Sequence, residues 1–173
     1  HAETEEQIAN AFRFAEDANL DVFVLGGGSN ILVSDRGFDG LVVQVGIKGV
    51  EFDEREDGVI VTAGAGEDWD TLVSETIRRD LAGFECLSGI PGYVGGTPVQ
   101  NVGAYGQEVS ETVVSVRCFD RTTGTIIELP NAECGFSYRR SIFNSTERGR
   151  YGVLSVTYRL SKNGAAKIAY KDL

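Results

Sequence analysis

The chain has 173 residues, of which 42% are hydrophobic and 24% charged, and a formal net charge of -10 at pH 7. That length fits one domain or two small lobes sharing a core, and that charge excludes the broad basic surface of a nucleic-acid binder. The one histidine, His1, and the scattered Cys86, Cys118 and Cys134 exclude a His-based triad, a His-ligated or Cys-x-x-Cys metal site and a disulfide framework.

The cysteines suit a reduced, cytoplasmic setting. No apolar run approaches the length of a membrane span, and no signal peptide precedes the first helical pattern. That pattern covers residues 4–17. Ile8, Ala11, Phe12 and Ala15 share one face, and Thr4 with Gln7 spells a capping box. A short apolar strand is expected at 22–25. Gly26, Gly27, Gly28, Ser29 and Asn30 follow directly. A second extended stretch is expected at 31–34, a turn at 35–40 and a third strand at 41–45.

The triple glycine reads equally as a phosphate-binding loop or as a tight turn. Dinucleotide and P-loop patterns both fail here: Ile31 stands where the third glycine should, and no Lys-Ser/Thr follows. A hairpin is expected over 50–55 and 59–63. A helix should cover 68–79, with Trp69, Leu72, Val73 and Ile77 on its apolar face and Trp69 in the core. Further along, 113–120 and 125–129 read as paired strands around Thr122-Thr123-Gly124. Residues 131–135 allow one helical turn, and 153–160 alternate as a last strand.

The stretch at 88–106 organises the rest. It holds six glycines, two of the three prolines, and the short polar side chains Ser88, Thr97, Gln100 and Asn101. Glycine brings backbone close to a ligand, and proline stiffens what glycine loosens. Such a run offers amides to something flat, polar or anionic. With no catalytic His or Cys constellation, an enzyme of this composition borrows its chemistry from a cofactor. Two glycine-rich loops suit a cofactor with a diphosphate and a flat ring. Tyr138-Arg139-Arg140 adds a cationic candidate for stabilising negative charge on oxygen.

Four segments carry a resemblance. They are Leu-Gly-Gly-Gly-Ser-Asn-Ile-Leu-Val-Ser at 25–34, Glu-Cys-Leu-Ser-Gly-Ile-Pro-Gly at 85–92, Thr-Pro-Val-Gln-Asn-Val-Gly-Ala-Tyr-Gly at 97–106 and Phe-Ser-Tyr-Arg-Arg-Ser at 136–141. In this order and spacing they resemble the UDP-N-acetylenolpyruvoylglucosamine reductase (MurB) family. The resemblance implies an α+β, FAD-binding fold of the vanillyl-alcohol-oxidase/PCMH type. Two α/β lobes would clasp non-covalent FAD, the first over residues 1–49 without its N-terminal segment and the second over 50–173. It also implies NADPH as hydride donor and a UDP-sugar enolpyruvyl ether as substrate, in peptidoglycan precursor synthesis by a cytoplasmic monomer.

Carried over residue by residue, the resemblance puts Gly26, Gly27, Gly28, Ser29 and Asn30 at the FAD diphosphate. It puts Ser88, Gly89, Ile90, Pro91 and Gly92 along the flavin and diphosphate. Thr97, Gln100, Asn101, Gly103 and Tyr105 continue that site. Arg139 matches the catalytic arginine beside the substrate carboxylate, with Tyr138 and Tyr170 as substrate contacts. The family's later substrate domain, with its proton-donating serine and a late glutamate, has no matching motif here, so the 173 residues alone are expected to turn over no substrate. Two other readings compete. One is a non-catalytic flavin or nucleotide module of the same fold, which would not need Arg139. The other is a flavin oxidoreductase with a His- or Cys-linked flavin, which the glycine loops lack residues to make.

Overall fold

The computed structural model describes residues 1–164. Helix α1 spans Glu5–Asp17. Thr4 caps it by accepting the Gln7 N–H at 3.1 Å. The other half of the expected box reaches one residue further back: the Gln7 side chain accepts the Glu3 N–H at 2.7 Å. Strands β1, Val22–Leu25, and β2, Leu41–Gln44, pair in parallel. Residues 31–34 form no strand. Their β-branched composition finds no ladder partner, and Leu32 is fully exposed.

Beyond β2 the chain builds an antiparallel sheet. The hairpin β3, Val50–Arg55, and β4, Gly58–Gly64, leads to α2, Trp69–Arg78. Asp68 caps α2 by accepting the Thr71 N–H at 2.9 Å. Then come β5, Leu81–Ala82, the small hairpin of β6, Gly103–Ala104, and β7, Gln107–Glu108, and the pair β8, Val113–Asp120, and β9, Thr125–Pro130. The last strand, β10, spans Tyr151–Lys162. It lies between β4 and β8, so the order is β3-β4-β10-β8-β9, and β5 joins the far end of β10. The stretch after β5 is not a free loop. It folds into short 3-10 turns at Glu85–Leu87 and Val94–Gly96 that pack Leu87 and Val94 inward.

Both helices cover this sheet. Ile8 and Phe12 of α1 are buried, and Phe12 stacks on Phe119 of β8 with centroids 5.3 Å apart. A Cβ on Gly152 of β10 would come within 2.8 Å of the Phe12 ring. Glu5 grips Arg117 of β8 through two hydrogen bonds, at 2.7 and 3.1 Å. Trp69 of α2 is buried as expected and donates its indole N–H to the Leu87 carbonyl at 3.0 Å. It packs with Phe84 at 4.8 Å, and Phe84 meets Tyr158 of β10 edge-on at 4.9 Å. Each such aromatic removes roughly 150–250 Å² from water, about 4–6 kcal/mol before entropy is counted.

Candidate functional site

The loop of residues 26–30 leaves the end of β1. The β1–β2 ladder ends where the Val45 N–H meets the Leu25 carbonyl at 2.8 Å. Past that point, none of the N–H groups of residues 26–30 donates to an acceptor among the described residues. Residue 26 is half-buried and residues 27–30 are exposed, so these N–H groups face the cleft edge with no intramolecular acceptor, an arrangement open to an anionic group.

The loop is tied to the second glycine-rich stretch. Ser29 Oγ donates to the Pro91 carbonyl at 3.1 Å, and Asn30 Nδ2 donates to Gln100 Oε1 at 2.9 Å. Gly92 has φ of +126°, and a Cβ there would stand 2.9 Å from Ser29 Oγ. A side chain at this position would be both strained and in the way. The two segments enclose a cleft of about 710 Å³. Its apolar lining includes Val22, Val45, Val99, Val102 and Val153, and its far side carries Arg121, Asn144, Arg148 and Tyr151.

Of the residues singled out from the sequence, Gly26, Gly27, Gly28, Ser29, Asn30, Pro91, Gly92 and Gln100 line this cleft together. Ser88 Oγ and the Gly89 N–H both donate to Asp70 Oδ1 of α2, at 3.0 and 2.6 Å. Ile90 packs against the core. Thr97 and Asn101 turn inward. The Thr97 hydroxyl donates to the Val94 carbonyl at 2.8 Å and lies 2.9 Å from the Tyr158 hydroxyl. Asn101 donates to Glu108 and to the Ser137 carbonyl and accepts the Ser110 N–H.

Gly103, Tyr105, Tyr138 and Arg139 form a second group. Tyr105 sits half exposed at the tip of the β6–β7 hairpin. Ser137 and Arg140 exchange backbone hydrogen bonds at 2.9 and 3.0 Å, so Tyr138 and Arg139 are the two tip residues of a tight turn. Arg139 has φ of +54°, a left-handed conformation that costs a bulky residue energy and is found where the surroundings enforce it. The Arg139 guanidinium donates to the Gly103 carbonyl at 2.7 Å. Asn144, which lines the cleft, donates to the Arg139 carbonyl at 3.1 Å. Tyr170 lies outside the described residues.

Sequence reasoning missed Tyr93, Arg121, Arg148 and Tyr151. Tyr93 was reachable, since it lies inside the glycine-rich stretch. Arg121 follows the end of β8, Arg148 lies in the turn before β10 and Tyr151 opens β10, and the β8–β10 pairing brings these ends together. Arg150 grips buried Asp120 through two hydrogen bonds, at 3.0 and 2.7 Å, which holds the turn before β10. The Arg150 guanidinium, chiefly, holds the Asp120 carboxyl below the usual carboxylate range, helped by the Thr122 N–H. Burial pushes the Cys134 thiol up to about 11 and raises Cys118 and Cys86, so none offers a thiolate at neutral pH. Among the described residues no cluster of three or more His, Cys, Asp or Glu could hold a metal, and no helix is long and apolar enough to cross a membrane.

Comparison with known proteins matches residues 1–130 to the family described as FAD binding domain. The chain is 48% identical to UDP-N-acetylenolpyruvoylglucosamine reductase of Saccharopolyspora erythraea, over 99% of this chain and 47% of that protein. It is 44% identical to the enzyme of the same name from Neisseria meningitidis, over 100% of this chain and 49% of that one. The chain thus spans about half the length of the curated relatives it matches. The crystal structure of the Thermus caldophilus reductase (MurB) superposes with a TM-score of 0.68 at 30% identity, covering 94% of this chain and 55% of that one. The vanillyl-alcohol-oxidase-type flavoprotein of Myceliophthora thermophila shares the fold alone, with a TM-score of 0.71 at 18% identity over 93% of this chain and 31% of that one. The chain belongs to the FAD binding domain family, has its PCMH/vanillyl-alcohol-oxidase type of fold, and is a homologue of UDP-N-acetylenolpyruvoylglucosamine reductase along nearly its whole length.

Proposed function

We propose that this chain is the FAD-holding part of a cytoplasmic reductase that uses NADPH to reduce UDP-N-acetylglucosamine enolpyruvate to UDP-N-acetylmuramate. The observation that carries the reading is the row of unused N–H groups at residues 26–30, closed against Pro91 and Gln100 at the cleft edge. Five amides in one loop suit a diphosphate, and the cleft volume lies in the range of cofactor sites. The glycines at 27 and 92 keep the cradle free of side chains. In this reading residues 1–49 form the first lobe and 50–173 the second.

The chemistry supplied by bound FAD is hydride relay from NADPH to the vinyl carbon of the substrate. The chain's own part is to hold and orient. The 26–30 amides would neutralise the diphosphate, and the valines around Val99 and Val153 would exclude water from the cleft. Ser88, Gly89, Ile90, Gly103 and Tyr105 would shape the flavin side, while Thr97 and Asn101 hold the backbone that carries it. Arg139, with Tyr138 beside it, would face the substrate. Its fixed guanidinium would stabilise the negative charge that grows next to the substrate carboxylate as hydride arrives. The left-handed backbone of Arg139 supports this, because such strain persists where position matters.

The test starts with FAD added to the purified protein and removed by desalting. Retained yellow flavin, released on denaturation, is expected. Colourless protein whose melting temperature ignores FAD would overturn the reading. In the intact reductase, Arg139→Ala should then lower turnover by about 10²–10³, as loss of an oxyanion donor does, and leave flavin content unchanged.

A further inference from the structure

Tyr93 falls in the gap between the motifs that carry the family resemblance, yet it lies directly against the glycine loop. A Cβ built on Gly27 would stand 3.3 Å from Cδ1 and Cε1 of the Tyr93 ring. A side-chain carbon there would be tighter than ordinary packing, so Gly27 is what lets the loop backbone run this close to the ring. Tyr93 itself cannot retreat. The Trp69 N–H holds the Gly92 carbonyl at 3.0 Å, and the Val94 N–H holds the Glu67 carbonyl at 2.9 Å, which pins the backbone around Tyr93 to the start of α2. The Lys48 ammonium lies over the ring, 5.4 Å from its centroid. That ammonium is fixed in turn, donating to the Gly66 carbonyl at 2.5 Å and lying 3.6 Å from the Glu67 carboxylate. Lys48 comes from the short connection between β2 and β3. The stack Lys48–Tyr93–Gly27 therefore joins that connection to both glycine segments.

We propose that Tyr93, backed by Lys48, is a positioning residue for the 26–30 loop: its ring sets where the free amides meet a diphosphate. The inference rests on the FAD reading above. An amide nest is sensitive to displacement, since a hydrogen bond weakens steeply once its geometry fails. Without the ring the loop loses the neighbour that bounds its position, and its N–H groups can shift away from a bound diphosphate.

The experiment measures binding of FAD, ADP and adenosine to the intact protein and its variants. Tyr93→Ala should weaken FAD and ADP about tenfold and adenosine less than twofold, because adenosine lacks the diphosphate. Tyr93→Phe keeps the ring and should bind like wild type. Gly27→Ala pushes the loop off the ring and should also cost about tenfold. In the Gly27→Ala/Tyr93→Ala double variant that second loss should vanish, the non-additivity expected of two groups in direct contact. Lys48→Met should cost about threefold and Lys48→Arg should restore affinity, as a cation over a ring requires. Equal losses for adenosine, unchanged FAD affinity in Tyr93→Ala, or simple additivity of the two substitutions would overturn the proposal while FAD binding by wild type stands. Wild-type protein that binds neither FAD nor ADP would overturn the underlying reading, and this one with it.

Discussion

Replacing Tyr158 by Phe removes one oxygen from the centre of the sheet. The Thr97 hydroxyl has a single proton, and at 2.8 Å the Val94 carbonyl takes it. The hydrogen bond at 2.9 Å between the two hydroxyls is therefore donated by Tyr158. In the variant, Thr97 Oγ1 keeps its own donation and loses its incoming proton, in a site from which Tyr158 is wholly shut off from water. A buried acceptor left short costs about 1–3 kcal/mol. For a chain of this size that is roughly 2–4 °C per kcal/mol, so the melting temperature should fall by about 2–12 °C. The ring contacts with Phe84 and Trp69 persist and add nothing to the difference.

Burial holds the Tyr158 phenol well above its usual range. The gap between the proteins should hence be constant up to about pH 9. Above about pH 10 only the unfolded wild type ionises, and its advantage should shrink. Scanning calorimetry with and without saturating FAD measures this. FAD should raise both melting temperatures equally, since the hydroxyl supports the turn and not the ligand. A change below 1 °C, or a gap that FAD closes, would refute the reasoning.

Two further outcomes follow from the same geometry. Asp120 is held below the normal carboxylate range by Arg150 first, so its contribution is full at neutral pH. It should start to fade as pH falls past about 4 and be gone below the depressed folded value, whereas Asp120→Asn should be less stable at pH 7 and lack this acid step in denaturant titrations. Arg139→Gly should relax the left-handed backbone, worth about 1 kcal/mol, which offsets the lost hydrogen bond to Gly103. Stability should stay near wild type in thermal melts, while, on the proposed function, reductase turnover of the full-length protein should collapse.

The helices and hairpins were legible because their signals are local. Thr4 and Asp68 mark helix starts, and Gly58 and Gly124 mark turns, whatever the rest of the chain does. Residues 31–34 misled because strand composition says nothing about whether a neighbour is available. The glycine loop and Gln100 were singled out from the sequence, and the fold brings them to the same cleft. The inward turn of Thr97 and Asn101 was not, since a short polar side chain satisfies a ligand and a buried carbonyl equally well. Arg121 and Tyr151 carry no local mark at all. They share the cleft only because β8 and β10 are neighbours, across some thirty residues of sequence.

The placement of β10 has a consequence for synthesis. Strands β4 and β8 are made early, but neither can pair across the middle of the sheet until residues 151–162 have emerged from the ribosome. Until then the inner edges of both strands stay open to other chains, and the wall that carries Tyr151 and Val153 does not exist. Non-local pairing of this kind is slow. On the proposed function, flavin would therefore find nothing complete to bind on a nascent chain, and its capture would follow the strand insertion that closes the sheet.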